Sequence, residues 1–299
     1  METIVKCENI YKKIGKKEIL KDVSFEVNSG DILAFIGPNG AGKTTTIKLM
    51  LGLQKINRGH IYINGYDIEK NFVNAISKVG AIVENPDTYM YLSGYENLKM
   101  AQSLYGRCDE EELKAIIKKI GLEKRIKDKV SKYSLGMRQR LGIGLALVNH
   151  PNLLILDEPT NGLDPEGIRD LRNLLKDLAK EGMAIFVSSH NLAELESFCN
   201  KVIIIQNGVI VDSAKTKDLK HNTTDSGLVY TITLDNNKKL GKKYELVGDD
   251  KVIVKGSKDD VANAVSELVG MGKKIYLIAE QELSLEEAFL KKTGGNKID

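Results

Sequence analysis

Ile32-Leu33-Ala34-Phe35-Ile36-Gly37-Pro38-Asn39-Gly40-Ala41-Gly42-Lys43-Thr44 is the stretch that decides how this chain is read. Its first half is an unbroken apolar run, the pattern of a strand buried on both faces. A glycine-rich turn follows, then a helix expected from about Lys43 to Leu51. Residues 37–44 fit G-x-x-x-x-G-K-[ST]. Glycines without a Cβ let backbone N–H groups curl inward around phosphate oxygens. The helix that follows aims its positive end at the same anion. Lys43 adds a full charge for the terminal phosphates, and the Thr44 hydroxyl can ligate Mg²⁺. The plain alternative is a glycine turn that only joins a strand to a helix. Its place, directly after a buried strand, is what the phosphate reading requires.

Such a site needs carboxylates, and they occur downstream. Leu153-Leu154-Ile155-Leu156-Asp157-Glu158 is an apolar strand ending in two acids. In a doubly wound sheet, ligands gather at the carboxyl ends of the strands. Asp157 there can hold Mg²⁺ through water, and Glu158 can polarise an attacking water as a general base. Either acid alone is as readily a solvated residue after a buried strand. The pair together with the glycine loop points to nucleoside-triphosphate chemistry.

The rest of the chain builds an α/β core around this pair. Strands are expected at Ile4–Ile10, Ile19–Val27, Gly59–Ile63, Val79–Val83, Ala184–Val187, Val202–Gln206 and Val209–Asp212, the last two joined by Asn207-Gly208. Pro165 starts a helix bearing Ile168, Leu171, Leu174, Leu175 and Leu178, and Asn191–Phe198 is a short helix. Strands alternating with helices imply a mostly parallel sheet. From about residue 88 to 148 the chain is mostly helical. Asp109 caps one helix with Leu113, Ile116, Ile117 and Ile120 on one face, and Gly121 ends it. Residues 221–227 (HNTTDSG) read as a linker. Beyond it a small α+β domain, 228–299, is expected. It carries strands at Val229–Leu234, Val252–Lys255 and Ile275–Ala279, a helix capped by Ser257, and a last helix opened by Ser284 with Glu287.

Composition excludes several classes. Of 299 residues 42% are hydrophobic and 28% charged, ordinary for a globular protein. A net charge of +3 is too small to argue for a nucleic-acid partner. Cys7, Cys108 and Cys199 form neither a disulfide framework nor a metal-ligand spacing and read as reduced, small apolar residues. No apolar run approaches the roughly 20 residues that span a bilayer.

Between the glycine loop and the acid strand lies Tyr133-Ser134-Leu135-Gly136-Met137-Arg138-Gln139-Arg140. With it, residues 1–220 resemble the ATP-binding cassette (ABC) ATPases, whose signature is usually L-S-G-G-Q. Ser134 and Gly136 match; Leu135 and Met137 replace a glycine and the glutamine. Asn161-Gly162-Leu163-Asp164 resembles the family's D-loop, although Asp164 before Pro165 is also an ideal N-cap. Ser188-Ser189-His190 resembles its switch histidine. Glu84 stands where the family usually has glutamine, and Ile14 where an aromatic residue stacks on adenine; Tyr11 is close by.

The resemblance implies a P-loop NTPase core with a mostly parallel sheet, an antiparallel β-subdomain and a helical signature subdomain. It implies ATP and Mg²⁺ as ligands. Phosphate contacts would come from Gly37, Pro38, Asn39, Gly40, Ala41, Gly42, Lys43, Thr44 and Thr45. Ser134, Gly136 and Asp164 would reach an ATP held by another subunit. Thr44, Asp157 and Glu84 would serve the metal; Glu158, His190 and Lys43 would serve catalysis. The implied assembly is a homodimer or heterodimer around two ATP, cytoplasmic, and peripheral on the inner face of the membrane through a separate permease. The variant signature, Glu84 and the C-terminal extension resemble bacitracin- and lantibiotic-type export and immunity cassettes. Ion or lipid export, and a non-transport ABC ATPase acting on DNA or ribosomes, are the alternatives. The loop reading is tested by Lys43→Ala: nucleotide binding or turnover should be lost in a filter-binding or phosphate-release assay, and wild-type turnover would refute it.

Overall fold

The structure is a computed structural model that describes residues 2–191, 195, 198–215, 228–237, 240 and 244–280. Residues 2–215 form one compact unit and residues 228–280 another.

The first unit holds two sheets. β1 (Thr3–Ile14), β2 (Lys17–Asn28), β4 (Arg58–Ile63) and β5 (Tyr66–Asp67) form an antiparallel sheet in the order β2-β1-β4-β5. β3 (Ile32–Ile36), β6 (Val79–Ile82), β7 (Leu153–Asp157), β8 (Ala184–Ser189), β9 (Lys201–Gln206) and β10 (Val209–Lys215) form the second, ordered β10-β9-β3-β8-β7-β6. All its pairings are parallel except the β9–β10 hairpin. Every residue of β3, β7 and β8 is buried, which is why these strands read as continuous apolar runs. Phe25 of the first sheet packs between Phe35 and Phe186 of the second, with ring centroids 5.3 to 5.8 Å apart. These offset aromatic contacts join the two sheets into one core.

Helices α1 (Lys43–Met50), α2 (Phe72–Ile76), α3 (Gly94–Leu104), α4 (Glu110–Lys119), α5 (Leu135–Leu147) and α6 (Pro165–Lys180) complete the unit. The Asp109 carboxylate accepts from the amides of Glu111 and Glu112, and Leu113, Ile116 and Ile117 are buried, as expected of α4. Ser93 and Glu96 make a capping box at α3. β1 and β2 extend past the expected strands because their far ends pair polar residues, such as Lys13 with Glu18 at 2.9 Å. Alternation vanishes there since neither face is covered. α2 and β5 are too short for a periodicity to register.

In the second unit β11 (Leu228–Leu234), β12 (Glu245–Val247), β13 (Lys251–Gly256) and β14 (Ile275–Glu280) form an antiparallel sheet, β12-β13-β11-β14. Helix α7 (Lys258–Gly270), opened by a Ser257–Asp260 capping box, packs Val261, Ala264 and Leu268 on Ile232, Leu234, Val252 and Val254. Tyr244 donates to Glu267 at 2.9 Å. Burial and that carboxylate push its phenol up to about 12. The linker at 221–227, most of the helix expected at Asn191–Phe198 and the helix opened by Ser284 and Glu287 lie outside the described residues. Among the described residues no helix is long and apolar enough to cross a membrane.

The cysteines divide. Cys7 and Cys199 are buried as expected, and burial pushes their thiols far up. Cys108 is exposed instead, because it stands in the loop before the Asp109 cap. Only a thiolate reacts readily. Iodoacetamide at pH 8 should therefore label Cys108 of the native chain within minutes and spare the other two, read by peptide mass spectrometry. Equal labelling of Cys7 would contradict this packing.

Candidate nucleotide site

The glycine loop runs from the end of β3 to the start of α1. A Cβ at Gly37 would lie 2.2 Å from the Ile205 carbonyl oxygen of the adjacent β9, so a side chain there collides with backbone. Gly42 has φ 114°, and its Cβ would lie 2.6 Å from Leu20 Cδ2. Within the loop the Ala41 amide donates to Pro38 O at 3.1 Å and the Thr46 hydroxyl to Gly42 O at 2.9 Å, while the Gly37 amide donates to Ser189 O at 3.3 Å and the Gly208 amide to Ala41 O at 3.1 Å. Gly42 is also the N-cap of α1, with no side-chain cap and no acid in the first turn. The first amides of α1 thus have no capping side chain of their own, the arrangement that can receive an anion. Asn39 and Gly40 are exposed at the tip, Pro38, Thr44 and Thr45 are half-buried, and Ala41 is buried.

The Lys43 side chain is only 6% exposed. Its ammonium donates to Gly37 O at 2.7 Å and lies 3.2 Å from Glu158 Oε1. The other carboxylate oxygen, Oε2, is 2.8 Å from His190 Nδ1 and accepts from the His190 amide at 3.3 Å. Loop, acid strand and histidine therefore meet on one carboxylate. Glu158 occupies the left-handed region at φ 48°, a sparsely populated conformation for a side chain of this size. Its amide is held by the Ser188 carbonyl at 3.2 Å and the Ser188 hydroxyl at 3.0 Å. Asp157 is 2% exposed. Among the described residues one hydrogen bond reaches its carboxylate, from Ser188 Oγ at 2.5 Å. A buried carboxylate with that much acceptor capacity left over suits a hard cation such as Mg²⁺.

The expected intersubunit residues form a separate group. Ser134 caps α5 and accepts from the Met137 amide at 3.3 Å; Asp164 caps α6 and accepts from the Gly167 amide at 2.9 Å. These two helix starts pack on each other. A Cβ at Gly136 would lie 3.9 Å from Leu163 Cδ2, and one at Gly162 would lie 2.9 Å from Leu135 Cδ2. Among the described residues no hydrogen bond or ion pair joins this group to Lys43, Glu158 or His190.

Glu84 sits one residue beyond Val83 with φ 66°, its side chain 68% exposed and paired with Lys48 of α1 at 3.3 Å. The Lys48 partner was not foreseen from sequence. Ile14 is half exposed near the tip of the β1–β2 hairpin. The Tyr11 ring is faced by the Arg58 guanidinium 5.3 Å from its centroid. Sequence reasoning also passed over Ser188, taking the Ser-Ser-His triplet only for its histidine. The available signal was strand register: β7 and β8 are adjacent, and Asp157 pairs with Ser188.

A buried strand, a glycine loop entering a helix without a side-chain cap, and a neighbouring strand whose terminal Glu158 reaches back to the loop lysine define a P-loop nucleotide-binding protein. The chain belongs to the ABC transporter family. The family model described as "ABC transporter" matches residues 20–161. The chain is 41% identical to the "Uncharacterized ABC transporter ATP-binding protein YhcH" of Bacillus subtilis (strain 168), over 99% of this chain and 98% of that one. It is 36% identical to the "Bacitracin transport ATP-binding protein BcrA" of Bacillus licheniformis, over the full length of both. Among solved structures it is similar to the dimeric ATP-binding cassette MJ0796 in a post-hydrolysis state bound to ADP and Pi. There the TM-score is 0.63 at 25% identity, covering 71% of this chain and 99% of that one. The fold and the ATP-binding class expected from the sequence are those of the family.

Proposed function

We propose that this chain hydrolyses ATP to ADP and phosphate as one half of a dimer that drives a separate membrane permease. One observation carries the reading: the Glu158 carboxylate lies between the Lys43 ammonium at 3.2 Å and His190 Nδ1 at 2.8 Å, beside the open start of α1. Amides of the 37–45 loop and Lys43 bind the β- and γ-phosphates. Because Lys43 is already paired with Glu158, an arriving γ-phosphate takes over the ammonium and releases the carboxylate. Glu158 then accepts a proton from the water that attacks the γ-phosphorus, and His190 keeps that carboxylate aimed. Mg²⁺, held by Asp157 and Thr44, would offset charge on the phosphate oxygens. Glu84 is assigned to the same metal once Lys48 releases it.

The second ATP contact comes from Ser134, Gly136 and Asp164. Among the described residues they share no hydrogen bond or ion pair with Lys43, Glu158 or His190, which fits a head-to-tail pair, each ATP lying between the loop of one subunit and the α5 start of the other. Binding two ATP closes the pair, and loss of the γ-phosphate opens it. The helical segment at 88–148 would pass that motion to the permease, which would hold the chain at the cytoplasmic face of the membrane. The domain division we assign is 1–220 for the cassette and 228–299 for an accessory domain. The full-length likeness to a bacitracin transport protein supports export of a peptide antibiotic or related compound. Co-purification with a permease and substrate-stimulated ATPase activity would test that export role.

Two substitutions test the mechanism. Glu158→Gln keeps shape and removes the base, so it should cut turnover at least ~100-fold and leave an ATP-bound dimer on a sizing column; a monomer only, with Mg-free ATP, would count against it. Ser134→Arg should leave nucleotide binding by the single subunit intact and stop hydrolysis. Hydrolysis at the wild-type rate would overturn the shared-site arrangement.

A further inference from the structure

We propose that Ser188 is a positioning residue that sets both carboxylates of the site through one hydroxyl, and that it governs how strongly Mg²⁺ supports nucleotide binding. The inference rests on the ATPase reading above. Ser188 is fully buried at 0% exposure, near the end of β8 and in register with Asp157 of β7. A serine hydroxyl has one proton and two acceptor lone pairs. Here the proton is committed to Asp157 Oδ1 at 2.5 Å, while the oxygen accepts from the Glu158 amide at 3.0 Å. The two demands are compatible only with that direction of donation, since an ionised carboxylate cannot donate and an amide cannot accept.

The consequences differ for the two acids. Asp157 is buried, and Ser188 is its one hydrogen-bond partner among the described residues. Fixing Oδ1 by that bond leaves Oδ2 as the free face toward a cation. Partners that orient a ligating carboxylate in this way typically account for about 10–100-fold in metal affinity or activity. For Glu158 the hydroxyl stabilises the left-handed backbone at φ 48°. That backbone turns the side chain toward Lys43 and His190. His190 lies two residues beyond Ser188 on the same strand end, so any shift of that end reaches the metal-side acid and the water-side acid together.

The test is Ser188→Ala, with Ser188→Thr as the conservative variant, in the full chain. ATP affinity is measured by fluorescence or calorimetry, in EDTA and across a Mg²⁺ titration. In the alanine variant Mg-free affinity should stay near wild type. The Mg²⁺ concentration for half-maximal effect should rise about 10–100-fold, and kcat should fall more than KM rises. Threonine should restore Mg²⁺ dependence. An alanine variant that melts earlier but keeps wild-type Mg²⁺ dependence would show a merely structural serine and overturn the proposal. Should the threonine methyl prevent folding, Asp157→Asn decides: adding Ser188→Ala to it should cost nothing further in Mg²⁺ response, whereas additive losses would overturn the idea. A wild-type chain that releases no phosphate from ATP at any Mg²⁺ concentration would instead sink the ATPase reading itself.

Discussion

A buried ammonium must have a counter-charge, and in this chain Lys43 finds it in Glu158. Removing one partner of such a pair strands the other in a poorly solvating interior, at a cost of about 3–5 kcal/mol. That constraint ties together elements far apart in sequence: the loop after β3, the end of β7, and the end of β8 that carries His190. It also means that the lysine's charge is already met by a carboxylate of the same chain. On the mechanism proposed above, a triphosphate would replace one anion by another beside Lys43. The group displaced, Glu158, would be the general base of that mechanism.

The core around this pair is built to hold strand ends still. β3, β7 and β8 are buried along their whole lengths, and the Phe25–Phe35–Phe186 cluster locks the second sheet to the first. Close-packed interiors transmit displacement rather than absorb it. By contrast, the starts of α5 and α6 pack on each other through Leu135, Gly162 and Leu163. The capping serine and aspartate there each satisfy one backbone amide, which leaves further acceptor or donor capacity at both helix starts.

Much of this was legible in the sequence because burial writes itself there. Ile32–Ile36, Leu153–Leu156 and Ala184–Val187 were visible as apolar runs, and Asp109, Asp164 and Ser257 as caps. Gly37, Gly42, Lys43, Asp157, Glu158 and His190 could be named from motif and strand-end position. What stayed hidden depended on pairing across the fold. Ser188 looks like any serine until β8 is set beside β7, and Lys48 looks like any helix lysine until β6 brings Glu84 to it. Contacts of that kind are set by strand order, which a single sequence does not print. The short β5, α2 and β12 escaped for another reason: too few residues to show a period.

The strand order has a consequence for biosynthesis. β3 carries the glycine loop, yet its two sheet neighbours are β8 and β9. When Ile36 leaves the ribosome, the nearer of those neighbours, beginning at Ala184, is still almost 150 residues from being made. At about 5–20 residues per second this is a delay of roughly 7–30 s. Throughout that interval the most apolar strand of the chain has neither edge satisfied, and the Ile205 carbonyl that backs Gly37 does not yet exist. Among the elements of the cassette, the nascent chain is thus most in need of protection at β3, the strand that leads into the glycine loop.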